Sequence, residues 1–99
     1  MSREKLSSNE IEALLQGLEG WTLADEGLAI GKTFKFAGFA EAFGFMAECA
    51  LRAEKLDHHP EWSNVYRTVE VNLSTHSAKG LTKLDFDLAA FMDKAAGRH

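Results

Sequence analysis

The stretch "WSNVYRTVEVNLSTH", Trp62 to His76, alternates with a period of two. Val65, Val69, Val71 and Leu73 fall on one side, and Asn64, Tyr66, Thr68, Glu70, Asn72, Ser74 and His76 on the other. A strand that is apolar on one side and polar on the other is the pattern expected of a sheet with helices over one face only. The stretch is either one long bent strand or a hairpin turning near Arg67.

The flanking segments supply the helices and the remaining strands. In "SSNEIEALLQGLEG", Ser7 and Glu10 have capping-box spacing, and Ile11, Leu14, Leu15 and Leu18 share a helical face that should stop near Gly20. A hairpin follows: a strand over Trp21 to Leu23, a turn at Asp25 to Gly27, and a second strand with Leu28, Ile30, Phe34 and Phe36 on one face. Lys32 interrupts that face and is expected to carry its charged end out to solvent. The segment "FAEAFGFMAECALRAEKL" reads as a second helix. One apolar stripe runs through Phe39, Phe43, Met46, Ala50 and Ala53, and part of another through Phe45, Cys49 and Leu56. Pro60, which lacks an N–H and holds His59 extended, should end that helix around Asp57 or His58. Thr82 and Asp85 form another capping-box spacing, Leu81 and Phe86 a hydrophobic staple, and Leu84, Leu88, Phe91 and Ala95 the apolar face of a third helix ending near Gly97. The order is α-β-β-α-β-β-α: an α+β two-layer sandwich with a four-stranded antiparallel sheet and helices on one face.

With 99 residues, 45% hydrophobic and 26% charged, the chain has room for a single domain over residues 1–99 and one core. A helix apolar over so much of its circumference, together with a free edge strand, points to a homo-oligomer, dimer or tetramer, built through the second helix and that edge. The net charge of -4 argues against direct nucleic-acid binding. One cysteine, Cys49, leaves no internal disulfide and fits a cytoplasmic setting. The start "MSREKLSSNE" has no apolar signal core, and no apolar run approaches the ~18 residues of a membrane span, so neither secretion nor membrane insertion is expected.

The chemistry concentrates in "EKLDHHPEWSNVY", which holds two of four histidines, the only proline, the only tyrosine and one of two tryptophans. Histidine titrates near working pH, so clustered histidines supply a general acid and base. The rings of His58 and His59 should diverge, and His76, past the polar run Asn72 and Ser74, could reach over the open sheet face. Each alone could be a solvated ring. Three histidines could also hold zinc, but adjacent ones seldom ligate one ion and no spaced ligand set accompanies them, so no metal site is expected. Cys49 sits in an apolar helix without a neighbouring base, and phosphate-cradling glycine loops are missing, which argues against nucleophilic catalysis and a nucleotide cofactor. Glu54, four residues before His58, pairs with it, faces an amide- or guanidine-like group of a ligand, or is simply a solvated carboxylate at the helix end. Trp62 is core or a stacking plane for a flat heteroaromatic. Asp85 is explained by its capping box.

The run "EKLDHHPEW", then "NVY", "VEVNLSTH" and "GLTKLDFDLAAFMD", resembles the pterin-4a-carbinolamine dehydratases, also known as transcription-factor dimerisation cofactors. The likeness covers nearly the whole chain. Its specific part is matched by Glu54, His58, His59, Pro60, Trp62 and His76, with Asp85 matching an aspartate at the third helix start. The departures, Arg67 and Thr68 where relatives often carry Asn and Lys79 where a small residue is common, bear on turn geometry. The resemblance implies dehydration of 4a-hydroxytetrahydropterin to quinonoid dihydropterin and water, recycling tetrahydropterin with no metal or redox cofactor. It implies His58 and His76 as the acid and base pair, His59 orienting the substrate, and Glu54 holding the amino-pyrimidinone edge with backbone groups near Ser74 and Thr75. Trp62 would wall the pocket, and Asp57, Pro60 and Asp85 would support it. Animal members also bind and stabilise a homeodomain transcription factor, which makes a protein-binding module the alternative.

Overall fold

A computed structural model describes residues 3–99; Met1 and Ser2, the start of the domain expected over 1–99, lie outside the described residues. The elements are α1 (Ser8–Gln16), β1 (Thr22–Ala24), β2 (Ala29–Lys35), α2 (Phe39–Leu56), β3 (Glu61–Val65), β4 (Thr68–Leu73) and α3 (Lys83–Ala96), with 3-10 turns at Asp25–Gly27 and His76–Ala78. The strands form one antiparallel sheet in the order β1-β2-β4-β3. This is the α+β arrangement that the alternation of periods predicts.

Both capping boxes are present, Ser7 with Glu10 and Thr82 with Asp85, so each of these helices begins where its side chains satisfy the first free N–H groups. Helix α1 closes at Gly17, a turn earlier than Gly20, because the Gly17 and Leu18 N–H groups fold back onto Leu14 and Leu15. The end of α2 matches expectation, with Asp57 left-handed (φ 51°) as its cap.

The region after Pro60 is a hairpin, with Val65 paired to Thr68 across Tyr66 and Arg67. A two-residue connection reverses the parity between its strands. Trp62 and Asn64 therefore share the helix-covered face with Val71 and Val69, while Val65 lies on the open face, 76% exposed. The expected grouping of Val65 with Val69, Val71 and Leu73 is corrected accordingly. Asn64 closes the turn by donating to the carbonyls of Tyr66 and Thr68, both at 3.0 Å.

The core joins Ile30, Phe34, Val69, Val71 and Leu73 of the sheet to Phe45, Cys49 and Ala53 of α2 and Leu88, Ala89 and Met92 of α3. Two further expectations change. Leu28 precedes β2 and is exposed. On α2 the buried stripe is Ala42, Phe45, Cys49 and Ala53, so Phe39 and Phe43 stand more than half exposed. Lys32 does not run free into solvent: its ammonium meets Asp93 Oδ1 at 2.8 Å and the Glu19 carbonyl at 2.9 Å, over the Phe34 ring.

Candidate active site

Three histidines stand at the end of the sheet where α2 runs into β3 and β4 leads toward α3, and each meets a carboxylate. The innermost pair is buried. His58 follows the left-handed Asp57, and that turn directs its ring inward, Nε2 lying 2.6 Å from Asp85 Oδ1. The other oxygen of Asp85 accepts from Thr75 Oγ1 at 2.8 Å and from the Thr82 N–H at 2.9 Å. Because Thr75 gives its proton to Asp85, Thr82 Oγ1 must donate to Thr75 Oγ1 at 2.8 Å while accepting from the Leu84 N–H. The donors converging on Asp85 fix it as an acceptor, so His58 Nε2 carries the hydrogen. Asp85 thus caps α3 and also anchors a buried network joining the α2 end to the loop after β4. Among the described residues no buried side-chain nitrogen or oxygen lacks a partner.

The second pair lies in the open. Pro60 turns the chain so that His59 faces away from His58, and its Nε2 lies 2.8 Å from Glu54 Oε1, with the ring 57% exposed. The pairing of Glu54 with His58 that the spacing allows is not formed: Glu54 meets His59 instead, and its side chain is 80% exposed. Together with Leu51, Pro60 and Trp62 they line a cavity of about 420 Å³. Trp62 packs against the core and also lines this cavity.

The third pair is His76 with Glu61, Nε2 to Oε1 2.9 Å. His76 begins the 3-10 turn beyond β4 and lines a cavity of about 290 Å³ with Asp25, Glu61, Ser74 and Lys79. Ser74 Oγ is engaged, donating to the Leu28 carbonyl at 2.9 Å. Thr75 is buried, and its N–H and C=O are used in a bridge to Gly80. Lys79 adopts φ 56°, a left-handed position where a side chain is unusual. Asp57 lines neither cavity: its carbonyl accepts from Arg3 at 2.6 Å and its carboxylate points outward.

Glu54, His59, Pro60 and Trp62 thus meet in one cavity, Ser74 and His76 in a second, and His58, Thr75 and Asp85 in the buried network between α2, the post-β4 loop and α3. Glu61 escapes the sequence reading altogether, because only the hairpin register aligns it with Asn72 at the His76 end of the sheet. Cys49 stays outside the site. Burial, with the Glu48 carboxylate adding to it, pushes its thiol up to about 12, which leaves it an inert core side chain. No group of three or more histidine, cysteine or acidic side chains suited to a metal occurs among the described residues, and no helix among them is long and apolar enough to cross a membrane.

The family model "Pterin 4 alpha carbinolamine dehydratase" matches residues 4–95. A protein of Rhizobium leguminosarum bv. trifolii, provisionally named a pterin-4-alpha-carbinolamine dehydratase, is 61% identical over 99% of this chain and 97% of its own length. One of Chelativorans sp., with the same provisional name, is 56% identical over 99% of this chain and 100% of its own length. The crystal structure of a transcriptional coactivator/pterin dehydratase from Brucella melitensis superposes with a TM-score of 0.92 at 50% identity, covering 95% of this chain and all of that one. A pterin dehydratase-like RuBisCO assembly factor of the alpha-carboxysome shares the fold alone, at 22% identity and a TM-score of 0.70. With the family model spanning nearly all of the chain and relatives this similar over their full length, the chain belongs to the pterin-4-alpha-carbinolamine dehydratase family.

Proposed function

We propose that this chain dehydrates 4a-hydroxytetrahydropterin to quinonoid dihydropterin and water, with histidines as the proton-transferring groups. What supports the reading is the set of three histidine–carboxylate pairs at the end of the sheet where α2 runs into β3 and β4 leads toward α3, two of them opening into neighbouring cavities and one buried. Departure of the 4a-hydroxyl as water requires a proton at that oxygen, and the resulting C4a–N5 double bond requires loss of the N5 proton. The C4a–O bond breaks as the electrons of the N5–H bond form the C4a–N5 double bond, with no net oxidation or reduction, so the reaction calls for neither metal nor redox cofactor. A neutral histidine hydrogen-bonded to a carboxylate through Nε2–H keeps an acceptor at Nδ1, and a protonated one is a donor there.

His59 and His76 are the accessible rings, whereas His58 is 5% exposed and committed to Asp85. That burial favours His59 and His76 for direct proton transfer and His58 for holding the turn that presents His59. Glu54 keeps Oε2 for the amino-pyrimidinone edge, and Trp62 offers its face to the bicyclic ring. The test follows the ultraviolet change of freshly generated 4a-hydroxytetrahydropterin. His59→Ala and His76→Ala should each lose about 10²- to 10⁴-fold in rate. Wild-type protein no faster than buffer would sink the reading.

A second reading concerns assembly. The outer side of α2 presents Phe39, Phe43 and Leu51 at 52%, 58% and 76% exposure. Large apolar side chains grouped on one helix favour a protein partner over water, a second copy of this chain in the first instance. A coactivator role belongs to the name of the Brucella protein; here the same surface supports it only as the alternative.

A further inference from the structure

We propose that Glu61 is a positioning residue for His76: it holds the ring by Nε2 and leaves Nδ1 as the atom that exchanges a proton with the pterin. The inference rests on the dehydratase reading above and adds a residue and an atom to it.

Glu61 is the first residue of β3, directly after Pro60, in register with Asn72 of β4. It therefore lies on the open face of the sheet, at the boundary between two concavities. One is the His76 cavity; the other is a polar trough of about 590 Å³ over the open face, lined by Thr22, Thr33, Glu61 and Asn72. The charged side chains around His76 come from three elements: Asp25 from the turn before β2, Lys79 from the turn His76 itself begins, and Glu61 from β3. Of these, Glu61 contacts the ring, Oε1 to Nε2 2.9 Å. Both partners are largely exposed, 81% for His76 and 64% for Glu61. A pair this solvated adds little to folding stability, so its consequence is local. A carboxylate can only accept, so a neutral His76 held this way carries its hydrogen on Nε2 and its lone pair on Nδ1. Without the acceptor, the ring on its exposed turn is free to rotate and to change tautomer, and a misplaced proton-transfer group loses rate more than binding.

The expected behaviour separates this role from a scaffolding one. Glu61→Ala should melt within about 2 °C of wild type. Its kcat for dehydration should fall roughly 10-fold or more with KM changed less than about twofold, because the ring loses orientation and not its chemistry. Glu61→Gln, whose side-chain carbonyl can still accept from Nε2–H, should recover most of the rate. Nitrogen-15 spectra of histidine-labelled protein, recorded where the ring is neutral, should show His76 as the Nε2–H tautomer in wild type and Glu61→Gln and as a mixture in Glu61→Ala. An unchanged tautomer and an unchanged kcat in Glu61→Ala would overturn the proposal, and so would a Gln variant as slow as Ala. The spectra need no substrate, so if wild type failed to dehydrate the pterin, the activity would fall while the pairing was still decided.

Discussion

Asp85 joins three segments of the chain through one side chain. It is fully buried and takes hydrogen bonds from His58 Nε2, Thr75 Oγ1 and the Thr82 N–H, so it ties α2, the loop after β4 and α3 together through one carboxylate. Removing it leaves buried donors without an acceptor, and such donors cost far more than the bonds gained in folding. Asp85→Ala should therefore cost about 3 kcal/mol or more of unfolding free energy, and Asp85→Asn, which keeps an acceptor oxygen, about 1–3 kcal/mol, read from urea denaturation. A loss below about 1 kcal/mol in the alanine variant would show that the network is not what holds these segments. The capping role of Asp85 is legible in the sequence because it depends on a three-residue spacing. Its bond to His58 is not, because the fold and not the chain brings those two together. The same distinction governs the histidines. The divergence of His58 and His59 follows from adjacency and Pro60, but which ring turns inward depends on where α3 lies.

At the scale of elements, α2 shows where periodicity stops being informative. Its apolar residues surround most of the axis, so the sequence offers two stripes and no means of ranking them. Packing chooses Ala42, Phe45, Cys49 and Ala53, whose small members let the helix approach the sheet closely, and turns Phe39 and Phe43 outward, their rings 5.9 Å apart. The β3–β4 hairpin makes a related point. Alternation identifies a strand, but only the two-residue turn decides which of Val65 and Asn64 faces the helices. If the outer face of α2 meets a second copy, a charge at Phe43 must be desolvated in the interface but not in the monomer. Phe43→Glu should then lower the sedimenting mass without changing the helical signal in circular dichroism. An unchanged mass, whether monomeric or oligomeric, would remove this face from consideration.

Across the whole molecule, the site is assembled at one end of the sheet, and a separate brace holds the layers together elsewhere. Lys32 of β2 reaches Asp93 of α3 at 2.8 Å and the Glu19 carbonyl before β1 at 2.9 Å, while Trp21 Nε1 donates to both Asp93 oxygens at 3.1 Å. The Lys32 and Asp93 side chains are only 22% and 27% exposed, so water screens them poorly. Sequence reading treats Lys32 as a solvent-seeking interruption because its partner lies 61 positions away. Asp93→Ala would leave an ammonium above the Phe34 ring with one carbonyl acceptor and would free the Trp21 N–H, at a cost of about 1–3 kcal/mol. Asp87, on the same helix, offers the control: its contact with Lys83 is 4.0 Å long and solvated, so Asp87→Ala should cost less than about 0.5 kcal/mol. Neither residue touches the histidine cavities, so both variants should keep wild-type kcat at temperatures where they are folded. Equal destabilisation in the two variants would mean that the brace contributes no more than an ordinary surface pair; a drop in kcat for Asp93→Ala below its melting transition would mean that the layers transmit strain to the site.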